Sequence, residues 1–332
     1  MTASNPSPAD SARGSFRAGA DPRLANVTSH DGDTHSDGGA NTFAPGDLVD
    51  QRYKITRLIG SGSSGEVYEA SDQALGVAVA LKTLREETAR HPVQMERFRR
   101  EIQNARRVTH PNVCRIFDMG VQRAGKLQRF FLTMELLPGK SLSTFISEKA
   151  PLSTADALPL VTQIAAGLQA AHDSGVIHRD LKPGNIMIAD ANTGAYVLRA
   201  IITDFGLAIS ADQASIGLTE SDEILGTPEY MAPEQAMVGS ATAASDVYAL
   251  GLITYELLAK RRPFDAEATP IATILKRNRE APRPLRVLLP NVDPKWDAAI
   301  MRSLERDPAA RFQRPADFMT ALTSGGRAGK GR

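Results

Sequence analysis

From Tyr53 to Met134 the chain is written mostly in short β-rich runs, and past Gly139 in helix-length ones. This change of texture constrains the fold more than any other feature. Lys54-Ile55-Thr56-Arg57-Leu58-Ile59 and Glu66-Val67-Tyr68-Glu69-Ala70 are punctuated by Gly or Ser-Asp, as strands joined by tight turns are. A charged segment, Val93 to Arg107, interrupts them and places Met95, Phe98, Ile102 and Ala105 at helical spacing. Later helical patterns cover Ala155–Ser174, Ala244–Lys260, Ile271–Arg277, Pro294–Glu305 and Pro315–Leu322. Pro159 falls inside the first of these and predicts a kink or a later helix start. The expected architecture is α+β and bilobal. A small β-rich N-lobe (53–134) and a large helical C-lobe (140–322) are joined by Glu135-Leu136-Leu137-Pro138-Gly139. A ligand is expected in the cleft between the lobes.

The ends differ from this body. Residues 1–46 are dominated by Ser, Thr, Ala, Gly, Pro and Asp, and Phe16, Leu24, Val27 and Phe43 follow no period. That composition predicts a disordered tail, because so little apolar surface cannot offset the ordering entropy. The Gly-rich, basic residues 324–332 are read the same way. Lys+Arg 39 against Asp+Glu 38 leaves a formal charge of +1, which argues against nucleic acid as the main partner. The one cysteine, Cys114, excludes an internal disulfide and is read as a small buried hydrophobe in a reducing compartment. No run reaches the ~18 apolar residues of a membrane span, and no secretory leader is visible. Cytoplasmic localisation without membrane insertion is the expectation.

The chemistry-bearing residues come in order. Gly60-Ser61-Gly62-Ser63-Ser64-Gly65 has the G-x-G-x-x-G spacing that dinucleotide folds also use. A dinucleotide site needs a helix at the last glycine, whereas Glu66-Val67-Tyr68-Glu69 alternates like a strand. Two strands joined by a glycine turn can instead lay backbone amides over phosphates, because no Cβ blocks the approach. A plain hairpin is the alternative. Val79-Ala80-Leu81-Lys82 ends a strand with a lysine, and Glu101 follows on the helical segment in the order for an ion pair. In His178-Arg179-Asp180-Leu181-Lys182-Pro183-Gly184-Asn185, Asp180 can accept a proton, Lys182 can steady a phosphoryl group and Asn185 can bind a divalent cation. Asp204-Phe205-Gly206 adds a second hard oxygen ligand, and Gly226-Thr227-Pro228-Glu229-Tyr230-Met231-Ala232-Pro233-Glu234 completes the set.

Together these motifs resemble those of bacterial eukaryotic-type serine/threonine protein kinases, over roughly Tyr53 to Leu322. The resemblance implies transfer of the ATP γ-phosphoryl group to Ser/Thr hydroxyls of proteins in signal transduction. It also implies Mg²⁺, with Mn²⁺ as an alternative, and a transient homodimer for autophosphorylation in trans. By position, Ile59, Gly60, Ser61, Gly62, Ser63, Ser64, Gly65, Glu66 and Val67 resemble the nucleotide-covering loop, and Lys82 with Glu101 the ion pair. Met134 resembles the gatekeeper, with the backbone of Glu135 and Leu137 facing adenine and Ala80, Val67 and Met187 sandwiching the ring. Asp180 resembles the catalytic base, with Lys182 beside it, and Asn185 and Asp204 the metal ligands. Glu234 resembles the acid that pairs with Arg311, Asp246 the brace of the catalytic loop, and His178 a structural residue of that loop. A non-catalytic scaffold of this family typically lacks Lys82, Asp180 or Asp204. A small-molecule phosphotransferase would lack Gly226–Glu234.

Arg179 before the base resembles the mark of kinases switched by phosphorylation between Asp204 and Glu234. Thr219 and Ser221 are the regulatory candidates there, in Gly217-Leu218-Thr219-Glu220-Ser221-Asp222. A phosphate adds about −1.5 to −2 charge and can bond a cation such as Arg179. Phosphosite mapping of the active protein is expected to find phosphate on this stretch, and the Thr219→Ala/Ser221→Ala double variant to lose activity. Full activity in that variant would retire the switch.

Overall fold

The computed structural model describes residues 41–62, 65–84, 92–124, 127–190, 198–205, 229–237, 241–265 and 269–324. Alternation in the first lobe resolves into a six-stranded sheet ordered β1-β2-β3-β4-β6-β5, antiparallel throughout. Its strands are β1 (Leu48–Val49), β2 (Tyr53–Gly62), β3 (Gly65–Asp72), β4 (Val77–Thr83), β5 (Ile116–Ala124) and β6 (Leu127–Met134). Period-two burial along β3 puts Tyr68 and Ala70 into a core with Ile55, Val79, Leu81 and Phe131. The helix α1 (Pro92–Ala105) buries Met95, Phe98 and Ile102 against Phe130 and Leu132 on the same sheet. Its apolar residues lie on one face, as their spacing requires.

The N-terminal boundary needs correction. The disordered tail expected over residues 1–46 does not reach Gly46, because Phe43 is buried with its ring edge-on to Tyr68. Gly46 N–H donates to the Ile55 carbonyl (2.8 Å) and Ile55 N–H to that of Asp47 (2.9 Å), which joins this segment to β2. One aromatic ring with a waiting partner outweighs the polar composition around it. Residues 1–40 and 325–332 lie outside the described residues.

Glu135 to Gly139 connects β6 to β7 (Lys140–Ser141), which pairs with β8 (Ile186–Asp190) and β9 (Leu198–Ile202) in a small sheet. The helices here are α2 (Leu142–Lys149), α3 (Thr154–Asp173), α4 (Pro233–Met237), α5 (Ala243–Ala259), α6 (Pro270–Arg279), α7 (Leu285–Leu288), α8 (Pro294–Ser303) and α9 (Pro315–Thr323). The later start allowed for at Pro159 does not occur. Ser153 caps α3 by accepting from Asp156 N–H (3.1 Å), and the helix runs through Pro159 in its second turn. The α5 helix is apolar on almost every side and is buried accordingly, among α3, α7 and α8 in one continuous core. It seats closely on α8 at Gly251, where an added Cβ would lie 2.0 Å from Ser303 Oγ.

A second fastening is ionic. Arg311 is fully buried and grips Glu234 of α4 with two bonds, Nη1 to Oε1 (2.8 Å) and Nη2 to Oε2 (2.7 Å). Its remaining donors reach the carbonyls of Glu305, Arg306 and Ala244, and its guanidinium lies over the Tyr248 ring. Burial raises the pKa of Glu234, but the bonds from Arg311 and Ser245 prevail and hold the carboxyl below its ordinary value.

Loss of one partner strands a buried charge, so Arg311→Ala is expected to cost about 3–5 kcal/mol in urea unfolding at neutral pH. Glu234 has a depressed folded pKa. Its contribution is therefore full above the ordinary 4.5 and is lost as pH falls through the folded value. Wild type should lose this increment on acidification, and Glu234→Gln should have none to lose.

Candidate active site

Catalytic-loop residues are placed by a carboxylate beneath them. Asp246, buried in the first turn of α5, accepts from His178 N–H (2.8 Å), Arg179 N–H (3.0 Å) and His172 Nε2 (2.7 Å). His178 is buried, with Nε2 donating to the Thr203 carbonyl (2.9 Å) and Nδ1 receiving the Asp180 N–H (3.3 Å). These partners fix its tautomer and leave neither nitrogen for proton transfer. Its ring stacks edge-on against Phe205 at 4.6 Å, so the 178–180 loop and the 203–205 segment hold one another. Arg179 (φ 69°) and Asp204 (φ 61°) both take the left-handed backbone region that non-glycine residues rarely enter, and this tertiary bracing holds them there.

Past the loop, a 3₁₀ turn (Pro183–Asn185) turns the Asn185 side chain back. Its Nδ2 donates to the Asp180 carbonyl (2.8 Å) and to Asp180 Oδ2 (3.0 Å), while Lys182 Nζ lies 3.2 Å from the same oxygen. Asp180 is thus held from two sides, with its carboxylate partly exposed. Sequence reasoning missed Gln235 of α4, whose Nε2 bonds the Arg179 carbonyl (2.8 Å), and His172. Neither belongs to a recognisable spacing.

The expected Lys82–Glu101 ion pair is not formed. Among the described residues, the ion-pair partner of Lys82 is Asp204 Oδ2 at 2.9 Å, and that of Glu101 is Arg179 Nη1 at 2.5 Å. Lys82 is 1% exposed and requires a counter-charge. Asp204 supplies it, while Glu101 takes the guanidinium, the better partner for a carboxylate.

Above these charges the β2–β3 hairpin closes through Gly60↔Val67, Ser61↔Glu66 and Gly62↔Gly65. Gly65 (φ 121°) is obligatory, since a Cβ there would stand 2.1 Å from the Thr83 carbonyl. Ile59 is half-buried on β2. Beside the hairpin, Ala80, Met134, Leu137 and Met187 come together with Cys114, Ala189 and Ile201, and Val67 packs against them. Burial pushes the Cys114 thiol well up, so it stays protonated as one wall of this apolar slot. Ser63, Ser64, Gly206, Thr219, Ser221 and the 226–228 segment lie outside the described residues.

The arrangement can bind a flat apolar ring and hold anionic groups against Lys82. It can also present a carboxylate to a hydroxyl. A divalent cation fits Asn185 and Asp204: the Asn185 amide nitrogen is spent on Asp180, which leaves its oxygen as a hard donor. Two protein oxygens suit Mg²⁺, which keeps water and phosphate ligands. Among the described residues no group of three or more His, Cys, Asp or Glu forms a separate metal cluster, and no helix is long and apolar enough to cross a membrane.

Residues 53–316 match the protein kinase domain family. Serine/threonine-protein kinase PknA of Mycobacterium tuberculosis is 37% identical over 274 residues, 82% of this chain and 61% of that protein. Serine/threonine-protein kinase PrkC of Bacillus subtilis is 35% identical over 273 residues, 82% of this chain and 40% of its own length. The chain therefore spans about two-fifths to three-fifths of these relatives. The crystal structure of the Mycobacterium tuberculosis PknI kinase domain superposes with a TM-score of 0.65 at 25% identity, covering 84% of this chain and 98% of that one.

The exchanged ion pairs predict a measurable asymmetry in the nucleotide-free protein. A double-mutant cycle on Glu101→Gln and Arg179→Gln should give a coupling of about 0.5–3 kcal/mol in unfolding free energy. A cycle on Glu101→Gln and Lys82→Met should give none. The reverse pattern would contradict the observed pairing.

Proposed function

The chain belongs to the protein kinase family, with bacterial serine/threonine kinases among its relatives, and from that premise we propose that it phosphorylates Ser/Thr hydroxyls of proteins with ATP. One observation carries the reading: Asp180, gripped by Asn185 and Lys182, shares the cleft with the Lys82–Asp204 pair beneath the glycine hairpin. Adenine enters the slot of Val67, Ala80, Met134, Leu137 and Met187. The Glu135 N–H is engaged by the Arg115 carbonyl (2.9 Å), so Glu135 offers adenine its carbonyl. Hairpin amides and Lys82 hold the phosphates. Asn185 and Asp204 would hold Mg²⁺, which neutralises phosphate charge when bound, and Mn²⁺ satisfies the same donor set.

Asp180 accepts the proton of the acceptor hydroxyl as the new O–P bond forms and the bond from the γ-phosphorus to the β-bridging oxygen breaks. ADP leaves with that electron pair. Lys182 Nζ, beside Asp180, faces the negative charge spread over the transferring oxygens, and the work is chiefly positioning and electrostatic stabilisation. Autophosphorylation through a transient pair of chains, signalling in the cytoplasm and a switch at Thr219 or Ser221 belong to the same proposal.

Labelled ATP with Mg²⁺ and a generic basic protein tests it: protein labelling is expected, and labelling of small molecules alone would overturn it. Asp180→Asn should slow transfer by ~10²–10⁴-fold with ATP affinity little changed. Lys82→Met should abolish autophosphorylation in a folded protein. Near-wild-type incorporation by Lys82→Met would remove Lys82 from the phosphate site.

A further inference from the structure

The segment ahead of the family match reaches the turn end of the glycine hairpin at Glu66. Thr42 N–H donates to Glu66 Oε2 (2.9 Å), and the Tyr68 hydroxyl donates to the same oxygen (2.5 Å). Phe43 N–H in turn donates to the Tyr68 hydroxyl oxygen (3.1 Å), and the two rings meet edge-on with centroids 5.8 Å apart. Arg129 Nη1 reaches across from β6 to the Thr42 carbonyl (3.0 Å). On its other side the Glu66 backbone N–H donates to Thr83 Oγ1 (3.0 Å). Glu66 pairs with Ser61 across the hairpin and follows Gly65, the last glycine of the turn.

We infer that residues 41–44 are a strap that holds the glycine hairpin in its nucleotide-binding position, with Phe43 and Tyr68 as positioning residues for ATP. The inference rests on reading that hairpin as the phosphate cover. Its physical basis is entropic. A glycine-rich hairpin samples a broad backbone ensemble, and ATP binding must select the members that place its amides on phosphate. Anchoring the exit strand through Glu66 narrows that ensemble before the ligand arrives, which is preorganisation. The apolar Phe43–Tyr68 contact holds the strap down, and the Glu66 carboxylate transmits the hold to the turn. Burial and the bond to Glu66 push the Tyr68 phenol up, so the proton it donates stays in place. Among the described residues the side-chain contacts of the strap are with β3 and β6, on the nucleotide side, so the effect is expected on the nucleotide.

The test uses the full chain with Mg²⁺ and ATP, comparing wild type, Phe43→Ala and Tyr68→Phe. Phe43→Ala removes the anchor, and Tyr68→Phe keeps the ring while deleting both hydroxyl bonds. The ATP KM is expected to rise about tenfold in Phe43→Ala and about threefold in Tyr68→Phe, with kcat and the KM for the protein acceptor unchanged. Amide exchange of residues 60–67 should quicken in both. A lowered melting temperature with an unaltered ATP KM would make Phe43 merely structural and overturn the inference. Should Phe43→Ala not fold, an unchanged ATP KM in Tyr68→Phe overturns it by itself. A wild-type chain that neither binds nor turns over ATP defeats the kinase reading and this inference with it, whereas an active wild type with indifferent variants defeats the strap alone.

Discussion

A buried carboxylate must be surrounded by donors, and in this protein that requirement organises the active site. Asp246 sits in the first turn of the most buried helix and takes two backbone N–H groups of the catalytic loop together with the His172 ring. With those donors committed, the loop has little choice of path. His178 turns inward onto the Thr203 carbonyl, Arg179 is forced to positive φ, and Asp180 is delivered to the cleft. Removing the carboxylate would leave the buried His178 amide unsatisfied, a penalty of about 1–3 kcal/mol, and would release the Arg179 amide beside it.

The ion pairs above this loop show how charge is shared where several partners are within reach. Lys82, Glu101, Arg179 and Asp204 form two crossed pairs, each joining one lobe to the other: β4 to the 203–205 segment, and α1 to the catalytic loop. Phosphate and a divalent cation compete for Lys82 and Asp204 in the reading offered above.

Helices and strands long enough to show a period were legible in the sequence. The α5 pattern read as Ala244–Lys260 is observed as Ala243–Ala259, and the apolar residues of α1 face the sheet. Val67, Ala80, Met134 and Met187, named through the family resemblance, do come together, and Leu137 joins them with its side chain. What stayed hidden has a common cause. A two-residue strand such as β1 and a lone aromatic such as Phe43 have no period to detect. Charge alone does not say whether Glu101 meets Lys82 or Arg179, since that depends on distances set by the whole fold. Pro159 misled because propensity counts its cost and not the compensation from a well-capped first turn and a buried face.

Gly251 bears on how this sequence can drift. Ser303 Oγ, the atom a new methyl would strike, is tied back to the Ile300 carbonyl at 2.6 Å, and Ser303 Cβ itself would stand only 3.0 Å away. Clearing the space requires loss of Oγ, as in Ser303→Ala, after which the facing Cβ atoms must give by a few tenths of an ångström. A lineage that changes Ser303 first passes through the loss of one buried hydrogen bond, and one that changes Gly251 first passes through a steric clash in the core. The order of substitutions matters at this crossing, so the two positions are historically linked although they lie in different helices and far from the chemistry.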